Sequence, residues 1–106
     1  MATGRLGAND LSSATNTTVY TCPTDTYAIA SLNLVNRGNQ ALTMRIAVAA
    51  NDTPTAGEYI EYEVEILSKG VLERTGIVLA AGQKIVAYAS GPNVSAVAMG
   101  IETSTA

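Results

Sequence analysis

Glu61, Glu63 and Glu65 alternate along one strand-length run and are the best-spaced candidates for chemistry in this chain. Alternation sets them on one strand face, with successive Cα atoms about 6.5 to 7 Å apart. Glycosidases also work with two carboxyl groups a few ångströms apart. Such a pair, however, needs a cleft that gives its members different environments, and a row on an open strand gives all three the same solvent. The glutamates therefore read as a wet face, ion-paired across strands with Arg45, Arg74 or Lys84, each pair contributing little. A divalent cation needs oxygens that close round it from a loop, and Asp52 stands alone in the longest one.

Other chemistries fall to missing residues. The chain contains no histidine, which removes the commonest general base near neutral pH, the imidazole metal ligand and every Ser-His-Asp or Cys-His arrangement. Lys69 and Lys84 lie in or beside turns, where an exposed ammonium stays charged and cannot serve a serine as base. Cys22 is the single cysteine; it allows no internal disulfide and no cysteine cage for a metal, and reads as a buried thiol. Gly4-Arg5-Leu6-Gly7 lacks the preceding strand and following helix of a dinucleotide fingerprint. No catalytic, cofactor-binding or metal-binding residue is therefore expected.

Composition narrows the partners. The net charge is -3 and the six lysines and arginines are scattered, which argues against a nucleic-acid backbone as ligand. No apolar run approaches the roughly 20 residues that cross a bilayer, and residues 1–10 have no signal-peptide core, so a cytosolic product with no membrane partner is expected. Hydrophobic residues make up 47% of the chain and charged ones 14%, less charge than an ordinary solvated surface carries. The aromatic residues are five tyrosines. Tyr62 is placed in the core, and Tyr59 and Tyr88 outward as contact residues, since tyrosine is enriched at protein interfaces.

Turn residues recur at short intervals, at 22–25, 36–39, 51–57, 68–70, 81–82 and 91–93. The runs between them are too short for helices and predict an all-β antiparallel sandwich, jelly-roll or immunoglobulin-like, of about seven to eight strands. Expected strands cover residues 15–22, 27–36, 41–49, 58–67, 71–79, 84–90 and 94–102. Residues 1–14 show no periodicity and read as an extended arm bearing Arg5 and Leu6; residues 15–102 form the sandwich, and 103–106 a short polar tail.

The last two runs lack a polar face. Ile85, Ala87 and Ala89 alternate with Val86 and Tyr88, while Val97, Met99 and Ile101 alternate with Ala96, Ala98 and Gly100. Antiparallel sheets normally turn one face to water, so one set in each run needs cover from a second layer or another molecule. Lys84 and Ser90 mark the side of Val86 and Tyr88 as outward. The flat row of Ala96, Ala98 and Gly100 invites close approach. With Arg5, Leu6 and Tyr59, these residues form the expected protein interface.

Glu58-Tyr59-Ile60-Glu61-Tyr62, Gly70-Val71-Leu72-Glu73-Arg74-Thr75-Gly76 and the segment from Ala81-Gly82-Gln83 through Ala87-Tyr88-Ala89-Ser90 carry a family likeness, joined by Gly4-Arg5-Leu6-Gly7, the segment Thr17-Thr18-Val19-Tyr20-Thr21-Cys22-Pro23 and Val35-Asn36-Arg37-Gly38. Over nearly its whole length the chain resembles small virion structural proteins of tailed bacteriophages, especially marine and cyanobacterial phages. The resemblance implies a β-sandwich without catalysis, made in the host cytoplasm and placed in the virion as a capsid decoration (cement) or tail accessory subunit. Its partners would be major capsid or tail proteins and further copies of itself. The alternative is a carbohydrate-binding module for host adsorption, using the loops at 50–57 and 91–93. An acid-base enzyme built on the glutamate row stands third.

Overall fold

The structure, a computed structural model, describes residues 3–105. Met1, Ala2 and Ala106, the outermost residues of the expected arm and tail, lie outside the described residues. Eight strands follow one another: β1 (Thr3–Leu11), β2 (Thr17–Thr21), β3 (Thr26–Asn36), β4 (Leu42–Ala49), β5 (Tyr59–Ile66), β6 (Val71–Leu79), β7 (Lys84–Ala89) and β8 (Val94–Ser104), with a single 3-10 turn, Ala56–Glu58, before β5. They form two four-stranded sheets, a first sheet ordered β1-β8-β3-β6 and a second ordered β2-β7-β4-β5.

All pairs are antiparallel, and β1 with β8, β2 with β7, β3 with β6 and β4 with β5 are the pairs of one long hairpin folded at the β4–β5 loop. Wrapping that ribbon adds the β3–β8 and β4–β7 pairs and gives a jelly roll. Between the sheets lies a core led by Leu32, Leu34, Met44, Ile46, Leu79 and Ile85. At one end the buried Asn36 amide ties the β3–β4 and β5–β6 loops together. It donates to the carbonyls of Gln40 (2.8 Å), Ile66 (3.2 Å) and Leu67 (3.3 Å), and its oxygen accepts from the Gly38 N–H (3.0 Å). At the other end the Tyr20 hydroxyl donates to the Glu102 carboxylate, linking the sheets from within.

The chain ends depart from expectation. Thr3–Leu11 is not an arm but a strand on the edge of the first sheet, in register with β8 from Thr3 opposite Ile101 to Leu11 opposite Val94. A bulge between Arg5 and Gly7 breaks its alternation and lets Leu6 lean on the core. Gly7 is required there, because a Cβ would sit 2.2 Å from the Val19 carbonyl oxygen of β2. The expected tail is also absorbed, since Thr103 and Ser104 pair with Tyr27 and Thr26.

Candidate functional site

The glutamate row does not survive folding as a row. A register shift interrupts the pairing of β5 with β4 between Met44 and Ile46, where Glu63 takes a left-handed φ of 54°. Such a bulge re-aims side chains. Glu61 turns toward the other sheet and pairs with Arg74 of β6 at 3.1 Å, while Glu63 stays outward and pairs with Arg45 at 2.7 Å. The two carboxylates that a hydrolase would share are thus neutralised on different sides of one strand. Tyr62, expected in the core, is carried outward by the same bulge and is 58% exposed.

Around Arg45 the second sheet covers its own outer face. The guanidinium lies over the rings of Tyr62 (4.7 Å) and Tyr88 (4.3 Å), and Tyr62 meets Tyr59 edge to face with centroids 4.9 Å apart. Tyr59 in turn packs on Ala47, Ala49 and Val86. Val86, expected at an interface, is only 2% exposed beneath this cover. Loop 50–58 closes the face further: Glu58 accepts the N–H groups of Thr55 (2.8 Å) and Ala50 (3.1 Å), and Asp52 accepts from Thr18 and lies 3.8 Å from Lys84. These bonds hold the Glu58 carboxyl below its ordinary range, and the Arg45 hydrogen bond does the same for Glu63. Beside the loop, Ala56, Tyr59 and Tyr62 line an open depression of about 510 Å³.

The outer face of the first sheet is the reverse. Cross-strand register aligns Thr3, Ile101, Ile29 and Val78 in one row, flanked by Arg5, Met99 and Ser31 on one side and by Thr103 and Tyr27 on the other. Tyr27, Ile29, Val78, Met99 and Ile101 are each between 40% and 63% exposed. Scattered single apolar residues on a surface mean little, but a contiguous set across neighbouring strands marks an interaction site.

Of the residues expected at an interface, Arg5 is exposed at the rim of this bare face, and Tyr59 and Tyr88 are half-buried on the covered one. Leu6 leans on the core. Ala96 and Ala98 point the wrong way for contact: both are completely buried between the sheets. Gly100 shares their side, and a Cβ on it would lie 2.0 Å from the Ile29 carbonyl oxygen, so its small size serves the pairing of β8 with β3. The small residues thus face inward, where large side chains of the opposite sheet fill the space, and Val97, Met99 and Ile101 face outward. Tyr27, Ile29 and Val78 were missed. Their signal was the alternation of Tyr27 and Ile29 with Ala28 and Ala30, masked by Ser31 and Asn33 on the same side.

Two further places hold chemical groups. Cys22 is buried and its thiol faces the carbonyls of Thr26 and Leu79; burial, foremost, keeps both this thiol and the Tyr20 hydroxyl protonated well above their ordinary ranges. A cleft of about 300 Å³ at the Asn36 end is lined by the amides of Asn39, Gln40 and Asn93. The loops at 50–57 and 91–93 cannot make one site. Ala49 pairs with Lys84 and Met44 with Ala89, so the two loops leave opposite ends of the sandwich. Among the described residues no group of three or more acidic or cysteine side chains could hold a metal ion. No family model, curated protein or solved structure matches the chain.

Proposed function

We propose that this protein is a non-enzymatic structural subunit that assembles through the outer face of its first sheet, in a phage virion as the resemblance implies. The observation that carries the reading is the uncovered row of Ile101, Ile29 and Val78 with Tyr27 and Met99 beside it. A free sheet face of this kind gains stability only when something covers it. The sheet edges, by contrast, discourage strand addition. β5 is bulged at Tyr62 and Glu63, β6 is shifted in register between its pairs with Ala30 and Leu32, next to Gly76 at a φ of 70°, and the Glu61–Arg74 pair spans them. Bulges and charges are the usual means of blocking an edge. Jelly rolls serve in viral capsid and lectin domains alike, so the fold agrees with the proposal without deciding it.

Mass spectrometry of particles purified from the source culture tests the virion reading. The chain is expected at a fixed copy number relative to the major capsid or tail protein, and its absence from washed particles overturns the reading. A second reading, sugar binding for host adsorption, is favoured by the exposed Tyr62 ring beside the open depression at Ala56. A glycan array with wild type and Tyr62→Ala separates the two.

A further inference from the structure

The bare face carries two charges without partners. Arg5 sits on β1 opposite Met99, and Glu73 on β6 opposite Asn33, so they occupy opposite edges of the same outer face, with Met99, Val97, Ser31 and Asn33 between them and the apolar row beside them. Both are exposed, and among the described residues neither makes an ion pair. The other arginines and Lys84 are all paired or bonded within the chain, as is Lys69 through the Arg37 carbonyl.

We infer that the occupant of this face is a second copy of the chain, docked back to back about a two-fold axis parallel to the strands. This rests on the proposal that the first sheet's outer face is the contact surface, and it names the partner. Two sheets packed face to face align within about 30°. A two-fold axis along the strands, between β8 and β3, leaves every row at its own height and exchanges the edges. Ile101 then lies over Ile29 of the other copy and Thr3 over Val78, so the apolar row meets itself. An axis across the strands would instead set that row against the opposite end of the face, the row Asp10, Ser95, Val35 and Val71, where Ile101 meets Ser95 and Thr3 meets Asp10.

The same rotation puts Arg5 over β6 of the other copy. Its row passes through Ser31, and Glu73 lies one outward position along, about 6.6 Å away, within the span of an arginine side chain. Symmetry repeats the contact, giving two reciprocal Arg5–Glu73 pairs at the rims, beside the self-matched apolar row, as an isologous interface requires. Four strands about 4.8 Å apart and some nine residues long offer roughly 600 Å² per copy. Doubled, that reaches the lower bound of stable interfaces, about 1,200 Å².

Sedimentation equilibrium on the full chain, loaded to about 100 μM, above the micromolar range of the weaker interfaces of this area, provides the test. Wild type is expected to be dimeric and Ile29→Lys monomeric, both folded by circular dichroism. Arg5→Glu and Glu73→Arg, which set like charges face to face, should each weaken the dimer about tenfold, and the double exchange should restore it to within about threefold. A wild type that stays monomeric at that loading overturns the two-fold dimer, while particle composition still decides the assembly reading. Association lost in Ile29→Lys but indifferent to both charge changes also overturns this dimer and leaves the face as the contact. Association that persists unchanged in Ile29→Lys removes both.

Discussion

The two outer faces are built from strands of similar apolar character and end in opposite states. On the second sheet, Tyr59 covers Val86, Ala47 and Ala49, Arg45 is held between Tyr62 and Tyr88, and loop 50–58 is pinned by Glu58 and Asp52. On the first sheet Ile29, Val78, Met99 and Ile101 stand open. The difference arises from the connections. Among the described residues the second sheet holds the ribbon's only within-sheet loop, β4 to β5, long enough to fold back, whereas every connection to a strand of the first sheet crosses directly between the layers. One face is finished by its own chain and the other is left for a partner.

Stability measurements should separate core, covered face and bare face. The largest loss is expected inside: Gly100→Ala forces a Cβ to 2.0 Å from the Ile29 carbonyl and 2.7 Å from the Ala30 Cα, so β8 and β3 must part. Urea unfolding should show a loss of about 3 kcal/mol; an unchanged midpoint would mean that small size there serves something other than pairing. Next comes the covered face. Tyr59→Ala bares Val86 and its neighbours and should lose about 2 kcal/mol, less than a fully buried aromatic because the ring is half-exposed. If it loses nothing, the two faces do not differ as described.

Acid should act on the cover as well. Glu58 and Glu63 are depressed below the ordinary carboxylate value by hydrogen bonds, from the backbone of Thr55 and Ala50 and from Arg45. A carboxyl whose folded pKa is lowered contributes stability above its unfolded pKa, near 4.3, and loses it as pH falls through the folded value. The gap in thermal midpoint between wild type and Glu58→Gln should therefore be open at about pH 6 and narrow as pH falls below about 4. A gap that widens on acidification would refute the assignment.

Which parts of this were legible in the sequence follows from where a pattern has a single physical meaning. In β4, Leu42, Met44, Ile46 and Val48 alternate against Thr43 and Arg45, a pattern with one meaning, and all four face the core. Turn chemistry bounded the strands from β2 to β8 to within a few residues. β1 escaped notice because its bulge and Gly7 erase the alternation, and both exist to fit β2 across the sheets. Tyr62 was misplaced because the bulge at Glu63 reverses the facing of Tyr62 and Glu61, until a second register shift beside Ile60 restores it. In β8 both faces are apolar, so hydropathy could not tell inward from outward. Side-chain volume misled, because Ala96 and Ala98 are inside opposite large neighbours, not outside awaiting a partner.

The smallest effect on stability belongs to the bare face, and there it is the informative one. Ile101→Lys replaces a side chain that is already half in water, and its flexible stem can lie along Ile29 with the ammonium free. Surface changes of this kind stay within about 0.5 kcal/mol, so the unfolding midpoint of the isolated chain should not move. Association should nonetheless disappear, because a face-to-face contact would bury that ammonium against Ile29 of another molecule with no carboxylate in its row, and an unpaired buried charge is heavily penalised. The same substitution at Val86 should behave oppositely, destabilising the fold beneath Tyr59. If Ile101→Lys instead unfolds the protein while association of the folded fraction persists, the first sheet is a second core face rather than a docking surface.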